Sequence, residues 1–526
     1  MRSSIVAALL ASVVAVLGDD TQLLQEWVAL FSKHASLGSA IAASALGEYT
    51  TTMKHAIRAT GADITFYHPE IGMATITGPA QSITSIKKMA GVKGVFRSVQ
   101  RRFIPAPDEI LGGPAGRRLQ ENHNTRVDAA IRRSAAARSL PAAAFQEPDF
   151  RPLQWSRLAI DADRALNAGL KGKGATVAVL DTVFYLDHPA IKHYDQSLSC
   201  NFIEHEQLAF NYTLANDPDL LDFSHGTHTA STVAGADLGG KGTIGVAPEA
   251  NLVLVKVISD TGYGSDAQVV AGILYAVAVG VDIISMSIGS LASVTGAPHD
   301  PQTDIDDSYT ASDARMWIQM YNRVVLFAHA SGVTVVVAAG NDAVQLDKQT
   351  DLFAFFAENK WTISVAATGP TFWAKDPKHA KLTGSSSHTN TGSAINFSAP
   401  GGNDEAYDFN ANIQATCSYT LNTGVFSTYC YRFDYVLSAA LSPDTLVSKL
   451  RYGMPTRYAF VEGTSMATPH VAGVAALIRG KKKGRISPDQ MLEYLKRCSL
   501  DLGDKGKDPI YGYGLVSASK VIDLKF

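Results

Sequence analysis

Cysteine is scarce in this chain: Cys200, Cys417, Cys430 and Cys498 are the four present among 526 residues. That excludes a scaffold built from disulfides. No Cys-x-x-Cys pair or Cys/His cluster offers a zinc site, so no metal ligands are assigned. Long apolar runs are nearly missing. The run from Ile5 to Leu17 is short for a bilayer span, and no other uninterrupted run reaches spanning length, which argues against an integral membrane protein. Charge of one sign is lacking as well. With 46 basic and 49 acidic residues the formal net charge is −3, so nothing global draws the chain to nucleic acid or to an acidic membrane. Charged residues make up 18% and hydrophobic residues 46%, a balance that excludes a disordered chain and supplies large cores.

What is present divides the chain. A length of 526 residues favours two or three domains. Arg2, the apolar run, and the small residues Val16 and Gly18 ahead of Asp19-Asp20 read as a secretory signal over residues 1–18, cleaved near Gly18. In an oxidising compartment four cysteines can form two disulfides in three possible pairings. Cys417 with Cys430, close in sequence, is the first choice, with Cys200 and Cys498 as the remaining candidates. Asn211-Tyr-Thr213 is a glycosylation sequon in a polar, loop-like setting, whereas Asn396-Phe-Ser398 sits in a strand-like stretch.

Residues 19–105 read as a small α+β unit. Helical patterns near Leu23–Ala35 and Ile83–Met89 alternate with strand-like Asp63–Tyr67, Met73–Thr77 and Gly94–Arg97. Residues 106–150 are rich in Ala, Arg and Pro and carry the dibasic pairs Arg117-Arg118 and Arg132-Arg133. With poor apolar periodicity, they predict a basic, exposed linker open to proteolysis. Over 151–526, buried-strand runs alternate with helical patterns. The strands are Ala175–Leu180, Leu252–Ile258, Val281–Met286, Val333–Ala338 and Trp361–Ala366. Ser265 and Ser487 cap helices through about Val279 and Lys496, and Ala314–Ala330 is a further helix. This alternation predicts an α/β fold: a mostly parallel sheet flanked by helices, with functional groups beyond the carboxyl ends of its strands. Asp181, Ser287 and Asn341 stand near such ends.

Two stretches complete a chemical set. Phe460-Val-Glu-Gly463-Thr464-Ser465 leads from an apolar pair through a glycine into a small-residue helical pattern. That puts Ser465 at a helix's first turn, where unpaired N–H groups and the helix dipole favour negative charge. Ser224-His225-Gly226-Thr-His228 supplies an imidazole beside a glycine that permits close approach. A serine hydroxyl needs a base to take its proton. The imidazole needs a buried carboxylate to fix its tautomer, and the developing oxyanion needs donors. Ser465, His225 and Asp181 fit the first three roles, and the Asn341 side chain with the Ser465 N–H fits the last. His228 is left to packing or local hydrogen bonding, because a metal would need ligands the neighbourhood does not suggest.

Asp181-Thr182, Ser224-His225-Gly-Thr-His228 and Gly463-Thr-Ser465-Met-Ala-Thr-Pro469-His, in that order, resemble the subtilisin-like serine proteases over roughly Leu153 to Leu515. Gly245-Val-Ala-Pro248, Met286-Ser-Ile-Gly289, Ala338-Ala-Gly-Asn341 and Phe397-Ser-Ala-Pro-Gly401 share in the resemblance. It implies a secreted, extracellular endopeptidase acting on proteins or peptides, with Asp181, His225 and Ser465 as the triad and Asn341 in the oxyanion hole. It also implies that Ser287, Ile288 and Gly289 pair with the substrate backbone, opposite a pocket wall of Ala338, Ala339 and Gly340. The N-terminal unit then resembles an inhibitory propeptide, the enzyme's own partner in a self-processed zymogen, with Val95–Gln100 approaching the cleft.

Some positions depart from the family. Val183 stands where glycine is usual, and a φ above zero would be disfavoured there. Ala190 replaces a calcium-ligating Asp of many members, and the loop through Gly239–Thr243 is short for the usual calcium loop. No cofactor is therefore required, and the usual structural calcium is in question. Insertions near 291–309, with Asp304, Asp306 and Asp307, and near 403–457 exceed a compact version of the fold. The first reads as an acidic solvated loop, the second as a disulfide-stapled excursion near the cleft rim. Small pocket walls, and a chain ending soon after Gly512–Val516, lead to an expectation of broad specificity. The rival readings are a narrow-specificity processing protease and a non-catalytic binding protein on the same fold.

Overall fold

A computed structural model describes residues 26–31, 51–104, 147–209, 224–298, 308–403, 415–440 and 457–526. The signal stretch, nearly all of the linker, Asn211, Asp304, Asp306 and Asp307 lie outside the described residues.

The large sheet runs, edge to edge, through Ser499–Leu500, Leu515–Val516, Phe397–Pro400, Ile363–Gly369, Thr334–Ala338, Ile283–Met286, Thr176–Asp181, Asn251–Lys256 and Cys200–Asn201. Each neighbouring pair on this path is parallel except the first, and Gly384–Ser385 pairs antiparallel off the path. Side chains alternate between faces along a strand, so a sheet covered on both sides needs apolar residues at successive positions. Val177 and Val179 face one core with Leu252, Leu254 and Val336, and that core holds the helices His225–Ala234, Thr464–Lys481 and Pro488–Arg497. Ala178 and Leu180 face the other with Val253, Val255 and Val337, against the helices Asp266–Val279 and Ala311–Ala330. The expected α/β architecture is the observed one. Ser265 and Ser487 close their helices with capping boxes, each accepting from the backbone N–H three residues on.

The N-terminal unit is a four-stranded antiparallel sheet in the order Asp63–His68, Met73–Thr77, Glu26–Phe31, Val92–Arg97, with a helix at Ala80–Lys87. The helix expected over Leu23–Ala35 is instead the inner strand Glu26–Phe31. Its apolar run fits either period, but Val28 and Leu30 face one core while Ala29 and Phe31 face another, which is the two-residue repeat of a strand. The unit packs on the Asp266 and Ala311 helices: Val28, Leu30, Met73 and Phe96 share their apolar cluster. Arg323 donates to the carbonyls of Phe31 and Ile71, both at 3.1 Å, and the Trp317 indole to that of Arg97 at 3.0 Å.

Within the second insertion, the hairpin Thr416–Leu421/Gly424–Tyr429 carries the Cys417–Cys430 disulfide. It is more than a surface excursion. Leu421, Tyr431, Phe433 and Tyr435 form a third core with Phe150 and Trp155. A second disulfide does not form: Cys200 and Cys498 are free thiols. Cys200 lies in one edge strand and Cys498 beside the other, eight strand spacings of about 4.8 Å apart, far beyond the reach of a disulfide.

Candidate active site

Asp181 closes its strand with no exposed surface. Oδ1 accepts from the Thr182 N–H at 2.7 Å and lies 2.6 Å from His225 Nδ1, and Oδ2 accepts from the Thr229 hydroxyl at 2.9 Å. His225 is the first residue of its helix. With Nδ1–H donated to the carboxylate, a neutral ring keeps its lone pair on Nε2, the arrangement a general base needs. Gly226 is required here, because a Cβ would come within 2.8 Å of the Val183 carbonyl oxygen and of the Phe184 ring. Val183 does not adopt a positive φ and is fully buried, so the strain expected from the missing glycine does not arise.

Gly463, at φ 144°, turns the chain into the helix Thr464–Lys481, and Ser465 occupies its second position, 8% exposed. The N–H and hydroxyl of Thr464 both donate to Asn341 Oδ1 at 2.8 Å. That fixes which way the amide faces: its oxygen is engaged, and Nδ2 remains as a donor on an exposed residue beside the nucleophile turn. The Ser465 hydroxyl donates to the Ser287 carbonyl at 3.2 Å, and the Ser287 hydroxyl to the Ser465 carbonyl at 2.7 Å. The sequence thus brings Asp181, His225, Ser465 and Asn341 to one end of the sheet through four separate segments.

Ser287, Ile288 and Gly289 follow the strand Ile283–Met286 directly. A Cβ on Gly289 would stand 3.7 Å from both the Ala338 carbonyl and Gly340 Cα, so these two segments leave their neighbouring strands side by side. Asn390, a residue that no sequence motif singled out, braces residues 338–342. Its amide donates to the Ala339 carbonyl at 3.1 Å and accepts from the Asp342 N–H at 3.0 Å. Just past its last sheet strand the N-terminal unit meets the main body: Gln100–Arg102 pair antiparallel with Tyr263–Ser265, and the N–H groups of Phe103 and Ile104 both donate to the Gly262 carbonyl.

His228 takes the packing role. It has no exposed surface, its Nε2 sits 3.2 Å from the carbonyls of Val436 and Ala459, and burial and the nearby His225 ring pull its pKa down to about 3. It ties the His225 helix to the paired strands Val436–Ala439 and Tyr458–Val461. Just after the loop Gly239–Thr243 the backbone is held by an arginine. Buried Arg157 donates to the carbonyls of Ile244 and Gly245 at 3.3 and 2.6 Å and pairs with Asp163. The Ala190 carbonyl accepts the Ala236 N–H at 3.0 Å, and its side chain offers no oxygen. These groups do not fit a calcium cage, which needs six to eight oxygen ligands. Among the described residues, no group of three or more His, Cys, Asp or Glu is placed to hold a metal ion, and no helix is long and apolar enough to cross a membrane.

Residues 172–514 match the model of the subtilase family. Minor extracellular protease Epr of Bacillus subtilis (strain 168) is 27% identical over 363 residues, covering 69% of this chain but 41% of its own length. Subtilisin DY of Bacillus licheniformis is 27% identical over 358 residues, 68% of this chain and 94% of its own. Two solved structures share the fold. The epidermin leader peptide processing serine protease EpiP of Staphylococcus aureus has TM-score 0.63 at 16% identity over 96% of this chain and 99% of its own. Fervidolysin of Fervidobacterium pennivorans has TM-score 0.58 at 19% identity, over 97% and 62%. The chain belongs to the subtilase family of serine-type endopeptidases.

Proposed function

We propose that this protein hydrolyses peptide bonds in proteins with Ser465 as nucleophile. His225 takes the Ser465 proton as the hydroxyl attacks the carbonyl carbon, and returns it to the leaving amine as the C–N bond breaks. Asp181 orients the ring and stabilises its cation. The Asn341 amide and the Ser465 N–H receive the oxyanion. Water, deprotonated by His225, then cleaves the acyl-enzyme. The observation that carries this reading is the fully buried Asp181 carboxylate, 2.6 Å from His225 Nδ1 and held by two further donors.

The strand pairing of Gln100–Arg102 with Tyr263–Ser265 supports a second role. Residues 19–105 act as an intramolecular inhibitor of a secreted zymogen, released by cleavage in or near the linker. Edge pairing of an extended segment is one way a peptide binds a sheet, and here the N-terminal unit takes up the edge at Tyr263–Ser265 in that manner. Walls of glycine and alanine admit varied side chains, which supports broad specificity; digestion of a random peptide library giving one narrow cleavage motif would contradict it. Ala190, which offers no side-chain oxygen, and the short loop through Gly239–Thr243 support activity without calcium, and unchanged proteolysis in chelator is the expected result.

The decisive experiment is labelling by a serine-directed fluorophosphonate, followed by N-terminal sequencing of secreted wild-type and Ser465→Ala protein. Wild type is expected to label and mature, and Ser465→Ala to do neither. No labelling of the wild type defeats the enzyme reading in favour of a binding protein on the same fold, and normal maturation of the variant defeats self-processing.

A further inference from the structure

The helix that carries Ser465 contains a proline, Pro469, near its start. In an α-helix the N–H of residue i bonds to the carbonyl of residue i−4, and proline has no N–H and crowds that carbonyl with its ring. The carbonyl left without a helical donor is that of Ser465 itself. It lies in a buried region, where an unpaired backbone oxygen is costly. The Ser287 hydroxyl fills the gap, donating to the Ser465 carbonyl at 2.7 Å from a residue 1% exposed and 178 positions away in sequence.

We propose that the Ser287 hydroxyl is a positioning group for the nucleophile, replacing the helix bond that Pro469 removes. This rests on the reading of Ser465 as nucleophile. The two serines are bound in both directions. In the resting arrangement the Ser287 carbonyl receives the Ser465 hydroxyl at 3.2 Å, while the Ser287 hydroxyl holds the Ser465 main chain. When the Ser465 hydroxyl turns to His225, the first bond breaks and the second stays. The main chain of Ser465, whose N–H is the oxyanion donor, therefore keeps its place while the side chain moves. An alanine at 287 would leave the main-chain path for substrate pairing intact and remove this anchor alone.

The test is a double-mutant cycle on the full-length protein, with Ser287→Ala, Pro469→Ala and their combination, read by the rate of fluorophosphonate labelling and by peptide kcat and KM. Ser287→Ala is expected to lower labelling and kcat about tenfold to a hundredfold, with KM held within about twofold, the pattern of a misplaced reacting group. Pro469→Ala restores an N–H to the Ser465 carbonyl. In that background, loss of the Ser287 hydroxyl is expected to cost less than about threefold. Equal losses in both backgrounds, or an effect on KM alone, would falsify the inference. If Ser287→Ala does not fold, Pro469→Ala against the double variant decides: similar labelling rates uphold the inference, and a tenfold gap overturns it. An unlabelled wild type overturns the nucleophile reading and this inference together, whereas a labelled wild type with an additive cycle overturns this inference alone.

Discussion

Asp181 receives three donors on two oxygens, and each donor does separate work: Thr182 fixes the strand end, Thr229 braces the second oxygen, and His225 takes the orientation. Replacing Thr229 with Val keeps its volume and removes its hydroxyl. That leaves a buried carboxylate oxygen short of one partner, a cost of about 2 kcal/mol. A lower urea midpoint and a reduced kcat for Thr229→Val are the expected results, and an unchanged midpoint would show the bond to be idle. Asn341→Ala removes a side-chain donor from the proposed oxyanion site. It is expected to lower kcat about 10²- to 10³-fold with little change in KM, a magnitude carried over from the equivalent loss in a subtilisin, a member of this same family. The cysteines give a third test at this scale. Burial raises the thiols of Cys200 and Cys498, the first to about 12 and the second to about 11, so both stay protonated and unreactive at neutral pH. Mass spectrometry of native, alkylated protein is expected to find the Cys417–Cys430 bridge and two unmodified thiols that react after unfolding. The residues proposed to do chemistry could be singled out in the sequence because a serine, an imidazole and a carboxylate each need particular neighbours. Thr229, Asn390 and the Ser287 side chain were not legible, because their partners arrive from segments up to 178 residues away.

Among the elements, strands buried on both faces and capped helices could be read directly, since apolar continuity and Ser-x-x-Gln boxes are local signals. The segment Glu26–Phe31 could not, because its run of apolar residues satisfies a helix as readily as a two-sided strand, and the two cores it divides come from distant parts of the chain. The loop near Gly245 depends on a partner of the same distant kind. Arg157 reaches it from 88 residues away. Arg157→Met is expected to lower stability by about 3 kcal/mol, because two buried carbonyls lose a charged donor. Added calcium is not expected to restore it. Thermal melts of wild type and variant, each with chelator or calcium, check both statements.

For the whole molecule, pH is the informative variable. Burial holds His188, His388 and His470 at about 4 and His228 at about 3, each below the ordinary value of 6.5. Above 6.5 these rings are neutral in both the folded and unfolded chain and contribute no pH dependence. As pH falls from 6.5 toward 4 the unfolded chain takes up protons that the folded chain refuses, so stability declines through that window. Unfolding free energies of Ser465→Ala, a variant chosen to avoid proteolysis, measured in urea from pH 8 to pH 4, are expected to decline steeply between pH 6.5 and 4. A flat profile would contradict the burial of these rings.

The Ser465 helix has a consequence for survival. Every residue from Thr464 to Ile478 is buried, so the segment bearing the nucleophile is among the last that any protease could reach in the folded protein. Exposed positions such as Val425, on the Thr416–Tyr429 hairpin, are where nicking would begin. A folded molecule is thus a poor meal for its sisters at the one place that matters. While unfolding remains reversible, activity should be lost when an unfolded chain is cut by an intact copy before it refolds. The decay would accelerate with enzyme concentration, a form of ageing set by the population and not by the single molecule.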